Sequence, residues 1–190
     1  MRSDWITPGW QAAILPDLWD VAGFILPPLS VWHVYALRSI GNGYVCGAPG
    51  CDRDDAASLL VIAGRDYRDG KSLWTHQGTR ERATLAIRRK ISGMDWVALD
   101  RACYDYAQTC TRTADRWKRQ GSKPGAVPEA WHLVSLLSGG DITKSDAAWN
   151  TPYAVASALY DAWAERSGDD TIMTAKSQEL ADNWNPEDNT

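Results

Sequence analysis

The apolar positions fall into short blocks of period three to four, punctuated by glycine, proline and capping residues, a pattern that predicts a mainly α-helical protein. The densest block is residues 26–41. Pro27 and Pro28 hold the entry extended, and Ser30 stands where an N-cap belongs. Val31, Trp32, Val34, Tyr35, Leu37 and Ile40 then leave almost no polar face before Gly41 stops the helix. A helix this apolar has to be buried, in its own fold or in a partner.

The remaining pattern gives further elements. Asp52 caps a helix containing Ala56, Ala57, Leu59, Leu60, Val61 and Ile62, although so short an apolar run also fits a buried strand. Residues 66–78 read as a turn-rich stretch, after which Thr79 opens an amphipathic helix with Ala83, Ile87 and Ile91 on one face, broken at Ser92-Gly93. The longest helix is expected from Asp95 to about Arg119. Along it Trp96, Leu99, Cys103, Tyr106, Cys110, Ala114 and Trp117 form a narrow seam. Pro128 begins a helix that ends at Gly139-Gly140, and Thr151-Pro152 opens another reaching Gly168. Its packed face is read as Val155, Ala156, Leu159, Ala162 and Trp163. Thr174 caps a final short helix to Asn183.

The expected fold is an irregular multi-helix bundle with an N-terminal arm. The arm is residues 1–25, where Pro8-Gly9, Pro16 and Gly23 prevent a long helix; the helical core is 26–120 and the hinge 121–127. A C-terminal helical segment, 128–184, precedes a frayed tail, 185–190.

Composition changes this picture in two ways. The 190 residues carry a net charge of −4, unevenly placed: residues 76–123 hold eleven Lys/Arg against five Asp/Glu, and residues 165–190 hold two against seven. Such a split favours self-association or charged partners. Second, eleven Trp and seven Tyr accompany one Phe. Most of the Trp are expected to be core residues of separate helices, whereas Trp5, Trp10, Trp19 and Trp184, outside the strong helices, are the better interface candidates. No window is apolar for long enough to cross a bilayer, and the first residues lack the apolar core of a secretory signal, so a cytoplasmic site of synthesis is the expectation.

Candidate chemistry adds little. Gly64-Arg-Asp-Tyr-Arg-Asp-Gly70-Lys71-Ser72 imitates a phosphate-binding loop, but five residues separate the glycines where four are needed, and Asp66 and Asp69 would oppose phosphate. Cys46 and Cys51 share a Gly/Pro loop downstream of His33 and invite a zinc reading. Cys103 and Cys110, however, lie seven residues apart on one helix, about 10 Å along its axis, and cannot share a metal unaided. Buried thiols and a reduced loop pair are the expectation, with no metal and no cofactor. Residues 141–152 begin like a calcium loop but have Asp146 at position six and Pro152 at position twelve, so they read as a turn with capping residues. The Arg/Lys residues at 80–90 and 112–119 lack a nucleic-acid recognition motif, and a solvated helix face accounts for them. No nucleophile elbow, zinc-protease helix or framed carboxylate pair occurs, and the expected class is non-enzymatic.

Two segments carry a resemblance. The order Pro-Leu, helix with central His33, Leu37 and terminating Ile40-Gly-Asn42 resembles the start of small helical proteins encoded in the tail-morphogenesis region of tailed bacteriophages, including tail assembly chaperones. Trp149-Asn-Thr-Pro152 through Trp163 to Gly168 resembles a Trp-x-x-Pro helix near the ends of such proteins. The resemblance implies a protein of the host cytoplasm that binds structural proteins during virion assembly, the tape measure or the tail tube; a homo-oligomer is compatible with it. The alternative it implies is a minor tail or connector subunit retained in the virion. The expected partner-binding residues are Leu29, Trp32, His33 and Tyr35 as one anchor set, with Trp149 and Pro152 as the other.

Overall fold

A computed structural model describes residues 17–113 and 127–168. Its first element is a hairpin, β1 (Trp19–Val21) paired antiparallel with β2 (Phe24–Leu26), with Val21 facing Phe24 across a two-residue turn. Both turn residues are left-handed, Ala22 at φ 51° and Gly23 at φ 86°, and Asp20 Oδ1 accepts from the Gly23 N–H at 2.6 Å. That geometry matches the twist of a tight hairpin and needs no helix-breaking proline. The expected arm is therefore corrected at its inner end: Val21 and Leu26 are buried, Trp19 packs edge-on to Tyr106 at 6.0 Å, and Trp19 is a core-side residue. Trp5, Trp10 and Trp184 lie outside the described residues.

Helix α1 (Val31–Ser39) forms as its caps require. Ser30 Oγ accepts from the His33 N–H, and the Ser30 N–H donates to His33 Nδ1, so histidine takes the place of the usual Glu or Gln in a capping box. The helix is buried almost all round, Leu37 and Val31 completely, and its cover comes from this same chain. Short α2 (Gly43–Cys46) follows, and then α3 (Arg53–Ala63) with Asp52 as N-cap. A helix is thus formed where a buried strand was the alternative.

Residues 66–78 are not turn-rich. Asp66 accepts from the Asp69 N–H and starts α4 (Tyr67–Thr75), after which His76 turns the chain into α5 (Gln77–Ile91). The glycine inside α4, Gly70, disguised it as a loop. The seam helix, α6 (Trp96–Thr111), buries Leu99, Cys103, Tyr106 and Cys110 as expected, but Arg112 leaves helical geometry at ψ 124°, so the helix is shorter than the 95–119 reading. Ala114, Trp117 and the hinge residues 121–126 lie outside the described residues, as does the expected helix from Thr174 to Asn183.

The described C-terminal part contains α7 (Glu129–Ser138), a 3₁₀ turn (Ile142–Lys144), α8 (Ser145–Asn150) and α9 (Tyr153–Arg166). Gly139 and Gly140, at φ 61° and 77°, supply the left-handed exit from α7. Asp141 caps the 3₁₀ turn through the Thr143 N–H, which is the turn-and-cap reading of that stretch. The α9 face is rotated from expectation. Tyr153, Ala154, Ala156, Ser157 and Ala164 are buried, while Leu159 and Trp163 are 49% and 46% exposed.

The fold class is mainly α, a multi-helix bundle with nine α-helices and one two-stranded sheet among the described residues. Helix α1 is its axis, packed against α2, α3, α7, α8 and α9, and a single core cluster runs from Val21 in the hairpin to Ala156 in α9. The packing is thus shared across the boundary expected at 121–127. Among the described residues no helix is long and apolar enough to cross a membrane.

Candidate functional site

The six residues expected to bind a partner come together. The Tyr153 N–H donates to the Leu29 carbonyl at 2.8 Å and the Val31 N–H to the Thr151 carbonyl at 3.0 Å, so Ser30 and Pro152 form an antiparallel bridge between chain segments more than a hundred residues apart. The two segments that carry the resemblance are one structural unit. Leu29, Trp32, His33 and Trp149 are buried within it, and Tyr35 and Pro152 are half-buried. Their apolar surface is covered by this chain.

Around them lies a cluster of six aromatic rings. Trp149 stacks on Tyr67 at 5.5 Å with an interplanar angle of 12°, meets Trp131 edge-on at 5.1 Å and Tyr35 at 5.7 Å, and crosses Trp32 at 6.4 Å. Trp32 in turn meets Tyr67 and Trp74 edge-on. Such edge and offset contacts each add about 0.5–1.5 kcal/mol beyond area burial. Tyr67, Trp74 and Trp131 were not singled out from the sequence. The signal for the first two was Tyr67, Gly70 and Trp74 at helical spacing behind the capping Asp66, masked by the resemblance to a phosphate loop. Gly70 is required here: a Cβ at this position would stand 2.2 Å from Trp32 Nε1, a buried indole nitrogen with no hydrogen-bond partner among the described residues.

His33 is built into this unit as a neutral structural residue. Nδ1 accepts from Ser30, so Nε2 carries the proton and donates to the Arg65 carbonyl at 2.5 Å. Burial pushes its pKa down to about 4, outweighing the Arg65 carbonyl and the Asp66 charge, which act in the other direction. Both ring nitrogens are engaged by backbone groups of this chain. The thiols are similarly quiet. All four cysteines are free; burial pushes Cys103 up to about 12 and Cys110 up to about 11. Cys46 is exposed, and Cys51 lies beside Gly43, where a Cβ would approach its sulfur to 2.8 Å. Among the described residues no three His, Cys, Asp or Glu side chains converge as a metal site.

Open surface suited to binding lies elsewhere. A groove of about 370 Å³ runs between α3 and α5, floored by Val61 and Ile62, with Ile40 and Leu85 facing into it although 42% and 49% exposed. Arg80 and Arg88 stand at its rim. Arg80 lies over the Trp74 ring at 4.8 Å and Arg88 meets Asp54 at 3.0 Å. A second cleft, about 460 Å³, opens between α7 and α9 beside Val127, His132 and Tyr160. Sequence reading missed both, because each is made by residues from elements that are adjacent only in the fold.

The fold and these surfaces together define a mainly α multi-helix protein with a buried aromatic hub and, among the described residues, open clefts between α3 and α5 and between α7 and α9. Compared with known proteins, the chain matches no family model, and no curated protein and no solved structure matches it.

Proposed function

We propose that the protein is a non-enzymatic binding protein of bacteriophage morphogenesis, an assembly chaperone that holds structural tail proteins such as the tape measure or the tail tube. The observation that carries the binding reading is the α3–α5 groove, where two large apolar side chains, Ile40 of the turn after α1 and Leu85 of α5, stay exposed over an apolar floor. Exposed apolar surface rimmed by charge is the usual form of a protein-docking site. The morphogenesis reading is supported by the resemblance of residues 26–42 and 149–168 to phage tail-region proteins, two segments that are tied together by the Ser30–Pro152 bridge. The engagement of both His33 nitrogens and the raised pKa of the buried thiols also favour binding over catalysis.

On this reading genes for a tail-tube and a tape-measure protein flank the gene for this chain, and co-expression with their products tests it. A chaperone co-purifies with one of them and is missing from purified particles by mass spectrometry. Stoichiometric retention in the particles would instead identify a virion subunit.

A further inference from the structure

We infer that Asn42-Gly43 is a latent deamidation site, held inert by Asp55 and released to react only when α2 lifts away from α3. The reaction is an intramolecular condensation. The Gly43 nitrogen gives up its proton to solvent and attacks the Asn42 side-chain Cγ; the new C–N bond closes a succinimide as the Cγ–Nδ2 bond breaks, and Nδ2 takes up a proton and leaves as ammonia. Water then opens the ring at either carbonyl, leaving aspartate or isoaspartate at position 42. An Asn-Gly pair favours this chemistry because glycine puts no side chain in the path of the attacking nitrogen and bends freely toward it.

Both reacting groups are held by one residue. Asn42 is 1% exposed, and its Nδ2 donates to the Asp55 carbonyl at 2.8 Å and to Ser58 Oγ at 2.9 Å. The Gly43 N–H donates to the Asp55 carboxylate at 2.9 Å. Asp55 therefore fixes the leaving group with its main chain and the attacking nitrogen with its side chain. The Asn42 carbonyl also accepts from the Val45 and Cys46 N–H groups, so turning the Gly43 nitrogen onto Cγ breaks the hydrogen bonds that start α2. Packing explains why so labile a pair stands here. A Cβ on Gly43 would lie 2.8 Å from Cys51 Sγ and 3.1 Å from Asp55 Oδ2, and the Asn42 amide ties the end of α1 to α3. Helix α2 has only four residues, so its release is a local opening and does not wait for the whole chain to unfold. The change is one-way. An aspartate at 42 has no amide to donate and turns a buried negative charge toward the Asp55 carbonyl, so the corner does not close as before.

The test follows position 42 of the full chain by peptide mapping, counting aspartate and isoaspartate during incubation at neutral pH with and without guanidinium chloride. The native chain is expected to react at least about tenfold more slowly than the denatured one. Asp55→Ala should react at least about threefold faster than the parent under native conditions, and at the parent's rate in guanidinium chloride, where no fold holds either group. Ser58→Ala, which takes one acceptor from Nδ2, should lie between the two. Asn42→Asp should melt below the parent. Equal rates for the native and denatured parent overturn the inference, and so does an Asp55→Ala chain, shown by its thermal melt to be folded, that reacts no faster than the parent. Should Asp55→Ala not fold, Ser58→Ala decides in its place, a rate equal to the parent's counting against the inference. An Asn42→Asp chain as stable as the parent overturns the one-way consequence.

Discussion

Trp32 of α1 and Trp149 of α8 cross edge-on with ring centroids 6.4 Å apart, each of them almost fully buried. Truncating either removes a large buried side chain and leaves its neighbours facing a void. Trp32→Ala and Trp149→Ala should each cost about 3–5 kcal/mol in denaturant unfolding. The double variant should cost less than the sum, because the two rings share the Tyr67 and Tyr35 contacts. Strict additivity in that cycle would show the rings to be energetically independent.

The neutral His33 makes stability depend on pH. Its proton affinity is lower folded, at about 4, than at the ordinary value of 6.5, so the unfolded chain binds the extra proton between those values. The contribution is complete above about pH 6.5 and is lost as pH falls toward 4, about 3 kcal/mol in all. His33→Gln can keep both hydrogen bonds, an oxygen accepting from Ser30 and an amide donating to Arg65, without titrating. Melting temperatures from pH 7 to pH 4 should fall more steeply in the parent than in the variant; parallel curves would remove His33 as the cause.

Thiol accessibility should divide the four cysteines. Cys46, exposed on α2, reacts first with a disulfide reagent, Cys51 more slowly, and Cys103 and Cys110 only when the fold opens, since they are buried and their thiolates are disfavoured. Peptide mapping after a brief native labelling checks the order. Early modification of Cys103 would contradict the packing of the α6 seam.

At α9 the exposed face predicts tolerance. Trp163→Ser removes a half-exposed ring 5.8 Å from that of Tyr160 and should cost no more than about 1.5 kcal/mol, whereas Tyr153→Phe removes the hydroxyl that donates to Glu129 at 2.9 Å and should cost about 1 kcal/mol. A large loss from Trp163→Ser, measured by urea unfolding, would restore the face read from the sequence.

These cases show where the sequence was legible. The α1 caps, the Asp52 cap, the α6 seam from Trp96 to Cys110 and the glycine exits of α7 are local, set by residues three or four positions apart, and they appear as read. The hairpin at Trp19–Leu26 was hidden because its strands are three residues each and its turn uses an alanine at positive φ, which sequence alone does not advertise. Helix α4 was hidden by Gly70, a residue chosen for the close approach of an indole from another helix. The α9 face was read in part: Ala156 is buried as expected, but Leu159 and Trp163, which satisfy helical periodicity equally well, are about half exposed. The buried face also takes in Tyr153, Ala154, Ser157 and Ala164, of which three are small residues that hydropathy patterning does not single out. Trp32, His33 and Trp149, read from the sequence as partner-binding anchors, are buried within this chain, while the grooves, each built from elements adjacent only in the fold, had no linear signature.

Gly70→Ala should be among the most damaging single-methyl additions to the chain, costing at least about 1–3 kcal/mol as overpacking, because Trp32 is held by Tyr67, Trp74 and Trp149 and has nowhere to retreat. The melting temperature of the variant reads this directly. Repair should come from the other side of the contact: Trp32→Phe or Trp32→Leu in the same chain should recover part of the loss.

The same contact ties two positions of the chain into one heritable choice. A descendant that keeps tryptophan at 32 is held to glycine at 70, and one that gives up the indole is free to acquire a side chain there and a better α4 helix. Positions 32 and 70 should therefore drift together, and a glycine inside an otherwise helical Asp-Tyr-x-x-Gly-x-x-x-Trp stretch becomes a marker for the buried indole, recognisable in sequences too divergent to align elsewhere.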